Sequence, residues 1–383
     1  MLREKEGDMT DAERILIVGG GIAGLTLATA LHRRGFFPEL IERSVAWPAI
    51  GAGINLPANG VRVLRVLGLG EAVERSAEEI RRWSFFDRQG ALLCATDLQE
   101  LWREVGPCLG ITRVKLQEAL LAGAVDARHR LGISLTGLTQ DSGSVEVHFS
   151  DATSGTYDLV VGADGIRSTV RELAFASSPP AYAGQMVWRS LIPVRPPGMV
   201  DMMVLMGETS FFGLVPMGHG QTYGFGAVAG ERFEDPQAGR LDRFRRRFAE
   251  FAPPVPAYLA GLEADHDLHC GPIEWVELDA WYRGRVVLIG DAAHAGPPHM
   301  GEGGCMAMED ALVLADELKT ESTIESALAA YVLRRRPRAD WVQQQSRVAA
   351  DSWALSVAQR NDVLRERGDQ IFRDRYRPLI PAP

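Results

Sequence analysis

Apolar positions change their spacing several times along the chain, and each change marks a new kind of element. Ile15–Val18 is a short apolar run ending in glycines, which predicts a buried strand. From Ile22 to Arg34 the apolar residues recur at helical spacing, and a second apolar run closes on Glu42-Arg43. Strand, glycine turn, helix and strand therefore follow one another. Past a glycine-bearing loop at Gly51-Ala52-Gly53, Asn59–Leu67 predicts a helix, and Arg81–Leu98 alternates and breaks at Arg88-Gln89-Gly90 as a hairpin does. Ile111–Leu120 opens an amphipathic helix with Thr112 as its cap. Gly132–Leu135, Ser144–Ser150 and Tyr157–Gly162 are strand-like. Between Tyr182 and Ala229, alternation punctuated by glycine and proline predicts an antiparallel meander rather than strand–helix–strand units. A helical stretch at Leu241–Phe251 and a proline-rich Pro253–Pro256 follow. Val286–Ile289 is another buried strand, running through Gly290-Asp291 into a Gly/Pro-rich loop, Ala295–Gly304. A long helix starts near Cys305, and Ile324–Arg338 and Ala339–Arg367 are helical in pattern.

This order predicts an α/β protein: a Rossmann-like nucleotide-binding domain, an inserted antiparallel-sheet substrate domain and C-terminal helices. The expected division gives residues 12–80, 105–178 and 277–345 to the nucleotide domain and 81–104 and 179–276 to the substrate domain. Residues 346–383 form a C-terminal helical segment.

The glycine turn carries the first chemistry. Gly19 allows a tight turn, Gly21 lets a pyrophosphate approach the backbone at a helix N-terminus, and Gly24 lets helix and strand pack closely, with Ile22 and Ala23 between them. Glu42 stands where an acid accepts from a ribose hydroxyl. The pattern alone does not separate FAD from NAD. A second glycine loop, around Gly290-Asp291 and Gly301–Gly304, precedes the helix near Cys305 and makes another dipole-assisted anion site. Two such sites suit a long cofactor gripped at both ends. Gly53 suits a backbone passing close to a ligand, Arg113 on a first helical turn suits a phosphate, and Asp164-Gly165 at a strand end suits contacts to ribose and pyrophosphate.

Composition narrows the classes. With 383 residues, 46% of them hydrophobic, the chain buries a large core, and a net charge of -9 argues against a nucleic-acid surface. The densest basic runs, Arg245-Arg246-Arg247 and Arg334-Arg335-Arg336, sit in helical patterns beside acids and read as solvated faces. Cys94, Cys108, Cys270 and Cys305 are too scattered for a disulfide framework, and they fit reduced thiols in a cytoplasmic protein. The polar N-terminus lacks a secretory h-region, Met9 is a second candidate start, and no apolar run is long enough to span a membrane. No His/Cys/carboxylate cluster has metal-ligand spacing.

Together, Gly19–Gly24 with Glu42, Gly162–Arg171, and Gly290–His294 with the Pro297–Gly304 loop resemble the three fingerprints of the single-component aromatic hydroxylases. These are class A flavoprotein monooxygenases with the para-hydroxybenzoate hydroxylase fold. The local style is closest to salicylate, hydroxynicotinate and FAD-dependent urate hydroxylases. The resemblance implies non-covalent FAD, with Glu42 on the adenosine ribose and Arg43 beside the adenine. It places Arg113 at the cofactor's phosphate or flavin region, Asp164 in support of FAD and of reductant docking, Asp291 on the ribityl or pyrophosphate, and Gly301, Gly303, Gly304 and Cys305 around the flavin, with Pro298 bordering the oxygen pocket. It also implies NADH or NADPH as a transiently bound reductant and O2 as co-substrate. Hydride reaches flavin N5, and a C4a-hydroperoxide then transfers oxygen to a small aromatic or heteroaromatic ring. A monomer or homodimer is expected.

The candidate catalytic residues are His299, Tyr223 and Arg189, with His219 also weighed. The candidate pocket comprises Met203, Phe211, Tyr223, Phe225, Pro298 and His299. His294 reads as a structural part of its loop. Two departures stand out: Glu302 replaces the family's usual Gln, and Phe211 replaces an Arg of urate-like members, which disfavours urate and favours a less anionic, more apolar ring. The alternatives are N-oxygenation, halogenation or reduction on the same fold, or a non-catalytic FAD protein. Trp188 alone of a halogenase-type tryptophan pair argues against tryptophan-type halogenation.

Overall fold

Ile15–Val18 is buried along its whole length, so its strand must lie inside a sheet covered on both sides. The computed structural model describes residues 10, 12–47, 52–175, 179–351 and 355–383. In it this strand is an interior member of a six-stranded sheet ordered Tyr282–Arg283, Val286–Leu288, Leu159–Gly162, Ile15–Val18, Glu39–Glu42, Arg128–Leu131. All pairings are parallel except the edge pair at Tyr282–Arg283. The residues before Thr10, including Met9, and Gly51 lie outside the described residues.

The meander forms a seven-stranded sheet ordered His269–Trp275, Ala181–Ile192, Thr222–Ala229, Ser210–Pro216, Met202–Met206, Arg82–Asp87, Leu92–Asp97. The predicted hairpin joins it through a parallel pairing of Arg82–Asp87 with Met202–Met206, the one departure from antiparallel order among the described strands. Helices Arg240–Phe248 and Val255–Ala260 cover its outer face, where Phe212, Phe244, Phe248 and Tyr258 are at most 1% exposed. Each such ring adds about 1.5–3 kcal/mol by burial.

Two expectations need correction. The strand expected over Gly132–Leu135 is instead two strands, Arg128–Leu131 and Leu135–Gln140, because Gly132 adopts φ +72 and turns the chain. The helix beginning at Ile324 does not stop near Arg338 but continues through Pro337 to Asp351, so a boundary at 345/346 falls inside it. Buried Arg335, Ala339 and Val342 on either side of the proline hold it in place. The final helix, Val357–Tyr376, starts at a Ser356/Gln359 capping box and packs on the sheet edge at Leu92–Asp97.

Candidate active site

The first glycine loop has the geometry its sequence predicts. Gly19 has φ +109, and a Cβ on Gly24 would lie 1.9 Å from the Gly19 carbonyl oxygen, so only glycine lets helix Ile22–His32 sit this close. A Cβ on Gly21 would meet nothing within 4 Å, and this N-cap position carries no side-chain cap. The first amides of the helix therefore face open space, as an anion site requires. Glu42 Oε2 accepts from the Gly20 amide at 2.8 Å and Oε1 from Ser44 at 2.9 Å, which fixes the carboxylate at the end of its strand. Arg43 beside it is exposed.

The second loop is anchored from below. Helix Gly303–Thr320 carries Glu309 and Asp310, both fully buried. Asp310 accepts from the Gly290 amide (2.9 Å) and from Arg335 Nε (2.9 Å), and it pairs with His294 Nε2 at 2.6 Å. Burial would raise this carboxyl, but His294 and Arg335 pull it down to about 2. Glu309 binds Arg335, Arg338 and Asn59. Gly290 (φ +58), and with it Asp291, is thus pinned to the long helices, and His294, which also lines the cavity described next, is tied to Asp310.

A cavity of about 670 Å³ lies between these loops and the seven-stranded sheet. Gly21, Ile22, Ala23, Gly53, Arg113, Asp291, Pro298, Gly301, Gly303 and Gly304 line its nucleotide side. Gly301 has φ +68, and a Cβ there would press on Asn55 at 3.0 Å. Asn55 Oδ1 is itself buried with no partner among the described residues. A glycine cradle, uncapped helix amides and an orphaned amide oxygen fit a flavin with its pyrophosphate.

Glu302 also lines this side, 1% exposed. Its Oε2 accepts from Asn59 at 3.0 Å and its Oε1 has no partner among the described residues. Burial, opposed by that hydrogen bond and reinforced by Glu309, pushes its carboxyl up to about 8. The shift favours the neutral carboxyl, the form that would put no charge beside a flavin ring.

The sheet supplies the floor. Arg189, Phe211, Tyr223 and Phe225 face the cavity, with His299 at its rim. Burial raises the Tyr223 phenol, opposed by the nearby charges of Arg189 and Arg113. Among the described residues Arg189 makes no ion pair with a carboxylate. His299 Nε2 lies 3.1 Å from Gln185 Oε1, and burial followed by the charge of Arg375 lowers its pKa to about 4. A histidine so acidic is a poor base at neutral pH.

Three residues expected at the site do not line the cavity. Asp164 is taken up by the N-terminus of helix Thr169–Phe175, accepting from Ser168 Oγ (2.5 Å), Thr169 N (2.7 Å) and Val170 N (3.1 Å); Ala163, Gly165 and Ile166 line the cavity instead. The Cys305 side chain points away, its thiol 3.9 Å from the Pro57 carbonyl and packed on Gly60. Met203 belongs to the outer-face core, while Met202, Val204 and Met206 line the cavity. Trp188 also faces outward, its Nε1 donating to Asp235 at 2.8 Å, and His219 does not line the cavity. Sequence reasoning passed over Asn55, Gln185 and Arg375; none sits in a motif, and only the three-dimensional arrangement gathers them.

This site defines a flavoprotein, and the chain belongs to the FAD binding domain family, whose model matches residues 12–346. It is an FAD-dependent monooxygenase of the aromatic hydroxylase kind, as its relatives are. It is 35% identical to an aurachin C monooxygenase/isomerase of Stigmatella aurantiaca over 85% of this chain and 86% of that one. It is 30% identical to the FAD-dependent urate hydroxylase of Klebsiella pneumoniae over 97% and 99%. The structure of Klebsiella pneumoniae HpxO complexed with FAD and uric acid superposes with a TM-score of 0.88 at 28% identity, covering 98% of this chain and 99% of that one. Among the described residues no helix is long and apolar enough to cross a membrane, and no group of His, Cys, Asp and Glu could hold a metal.

Proposed function

We propose that this protein uses NADH or NADPH and O2 to insert one oxygen atom into an electron-rich aromatic or heteroaromatic ring bearing an ionisable hydroxyl or acidic group. The observation that carries this reading is the Arg189–Tyr223 pair, set in an apolar aromatic floor and facing the flavin cradle across one cavity. Bound FAD supplies the activated oxygen. Arg189 holds the ionised substrate oxygen, and its cation, two strands from Phe211, offsets the absence of an arginine at that position. Tyr223, kept protonated by burial, donates to the same oxygen, so a substrate phenolate stays electron-rich without a protein base. His299, neutral and tied to Gln185, acts as a positioning residue, and Phe211, Phe225 and Pro298 exclude water. Gly301–Gly304 and Asn55 hold the flavin ring, with Glu42 and Arg43 at the adenosine end. The named substrates of two relatives, urate and 3-amino-4-hydroxybenzoate, support a ring of this kind.

The test is NAD(P)H oxidation by the FAD-loaded protein in air across phenols, hydroxybenzoates, hydroxypyridines, quinolones and purines, with mass spectrometry of the products. A stimulated reaction yielding a product heavier by one oxygen atom is expected, with Arg189→Met raising KM at least tenfold. Stimulation giving peroxide alone, or an unchanged KM in Arg189→Met, overturns it.

A further inference from the structure

The ring site occupies only one end of the cavity. Cross-strand register sets Arg189, Phe225, Gly213, Val204, Phe85 and Cys94 in one row over six adjacent strands. At ~4.8 Å per strand that row is about 24 Å long. A Cβ on Gly213 would lie 2.0 Å from the Phe225 ring, so this glycine gives that ring its place beside the polar end. Beyond it the floor continues through Val204 and Phe85, which line the same cavity.

The C-terminal helix Val357–Tyr376 roofs this second half. Its lining residues run along one face from Arg360 through Leu364, Gly368 and Ile371 to Arg375. Gly368 lies against Cys94 and the Phe372 ring is 4.9 Å from Trp83, so the helix runs along the edge strands and closes this half of the cavity from that side. Arg360 at the far end is turned to the carbonyls of Gly207 and Glu208, and among the described residues no carboxylate lines the surface between it and Arg375. Beyond them, Leu355 and Val363, each 42% exposed, mark the outer mouth. A ring bound at Arg189 leaves this apolar half without contacts, and unfilled apolar space forfeits dispersion energy.

We propose that this half is a binding compartment for a hydrocarbon chain carried by the substrate ring, laid over Val204 and Phe85 beneath Leu364. The inference rests on the reading of the polar end as the ring site. The substrate class is then an ionisable ring with an extended apolar tail, and the methionines of the floor suit it because their flexible side chains adapt to a chain's contour.

The test titrates the FAD-loaded full chain with 4-alkylphenols from 4-methylphenol to 4-nonylphenol, reading Kd from flavin absorbance and from equilibrium dialysis. Affinity is expected to rise about three- to fourfold per methylene over the first several carbons and then level off. Leu364→Trp, with FAD content and thermal midpoint reporting its folding, is expected to reduce the gain over the whole series to less than twofold. If 4-methylphenol perturbs the flavin but longer chains bind no more tightly, or if Leu364→Trp keeps the full gain, the compartment is overturned while the ring site stands. If no member binds, both fall.

Discussion

The two faces of the seven-stranded sheet carry the same kinds of side chain and use them in opposite ways. Phe211 and Phe212 are neighbours on one strand. Phe212 is fully buried, 5.2 Å from the Phe248 ring and 5.6 Å from Tyr258, within a closed aromatic core. Phe211 faces the cavity, with Phe225 and His299 each 6.1 Å away. The difference lies in what covers each face. Two helices lie flat on the outer face and fill it, whereas glycine loops and one long helix stand off the inner face and leave room. Residue type therefore does not make a site here; the covering element does.

The largest pH-independent effect expected from this contrast is on the closed face. Phe212→Ala should cost about 3–5 kcal/mol, because its neighbours on three sides cannot collapse into the space. Chemical denaturation of the FAD-loaded protein measures it. A loss below ~1 kcal/mol would mean that the outer face is not the packed one, and the comparison would fail.

The next effect belongs to the open face and depends on pH. Burial pushes the Glu302 carboxyl up from its ordinary 4.5 to about 8, so in that range the folded state keeps a proton that the unfolded chain has lost. Stability contributed by this group is therefore full below about 4.5, falls as pH rises toward about 8, and is level above. Glu302→Gln removes that loss while keeping an acceptor for Asn59. Its unfolding free energy should exceed that of the parent by little at pH 5 and by most at pH 8–9, on the order of 4–5 kcal/mol there. Equal gains at every pH would show that the carboxyl is ionised and that the flavin side carries a charge.

How much of this was legible in the chain follows from the same contrast. Gly19, Gly24, Gly290 and Gly301 announce themselves because positive φ or backbone contact admits no other residue, so the cofactor loops stand out in sequence. The sheet does not. Met202–Met206 is apolar at every position, so alternation gives no parity, and Met203 could not be told from Met202 or Val204 until the strand was paired. Asp164 misled for a related reason: an acid at a strand end serves a helix N-terminus as readily as a ribose, and here three donors of its own loop and helix occupy it. The roofing role of Val357–Tyr376 was hidden altogether. Its lining face mixes arginines with apolar residues and carries no motif, and it becomes a face only by lying against the sheet edge.

The smallest effect in stability is the most telling for function. Phe211→Ala removes a ring that borders open space on one side, so less contact is lost than at Phe212, and the unfolding free energy should fall by less than in Phe212→Ala. The same change widens the water-excluding wall beside Arg189 and His299. Substrate binding, or the fraction of NAD(P)H oxidation that ends in hydroxylated product rather than peroxide, should then fall severalfold. Measuring stability and coupling on one preparation separates the two faces directly: Phe212→Ala should lose stability and, once folded, retain its coupling, while Phe211→Ala should do the reverse. If both variants lose both properties together, the sheet is a single mechanical unit, and the openness of its inner face is incidental to the site.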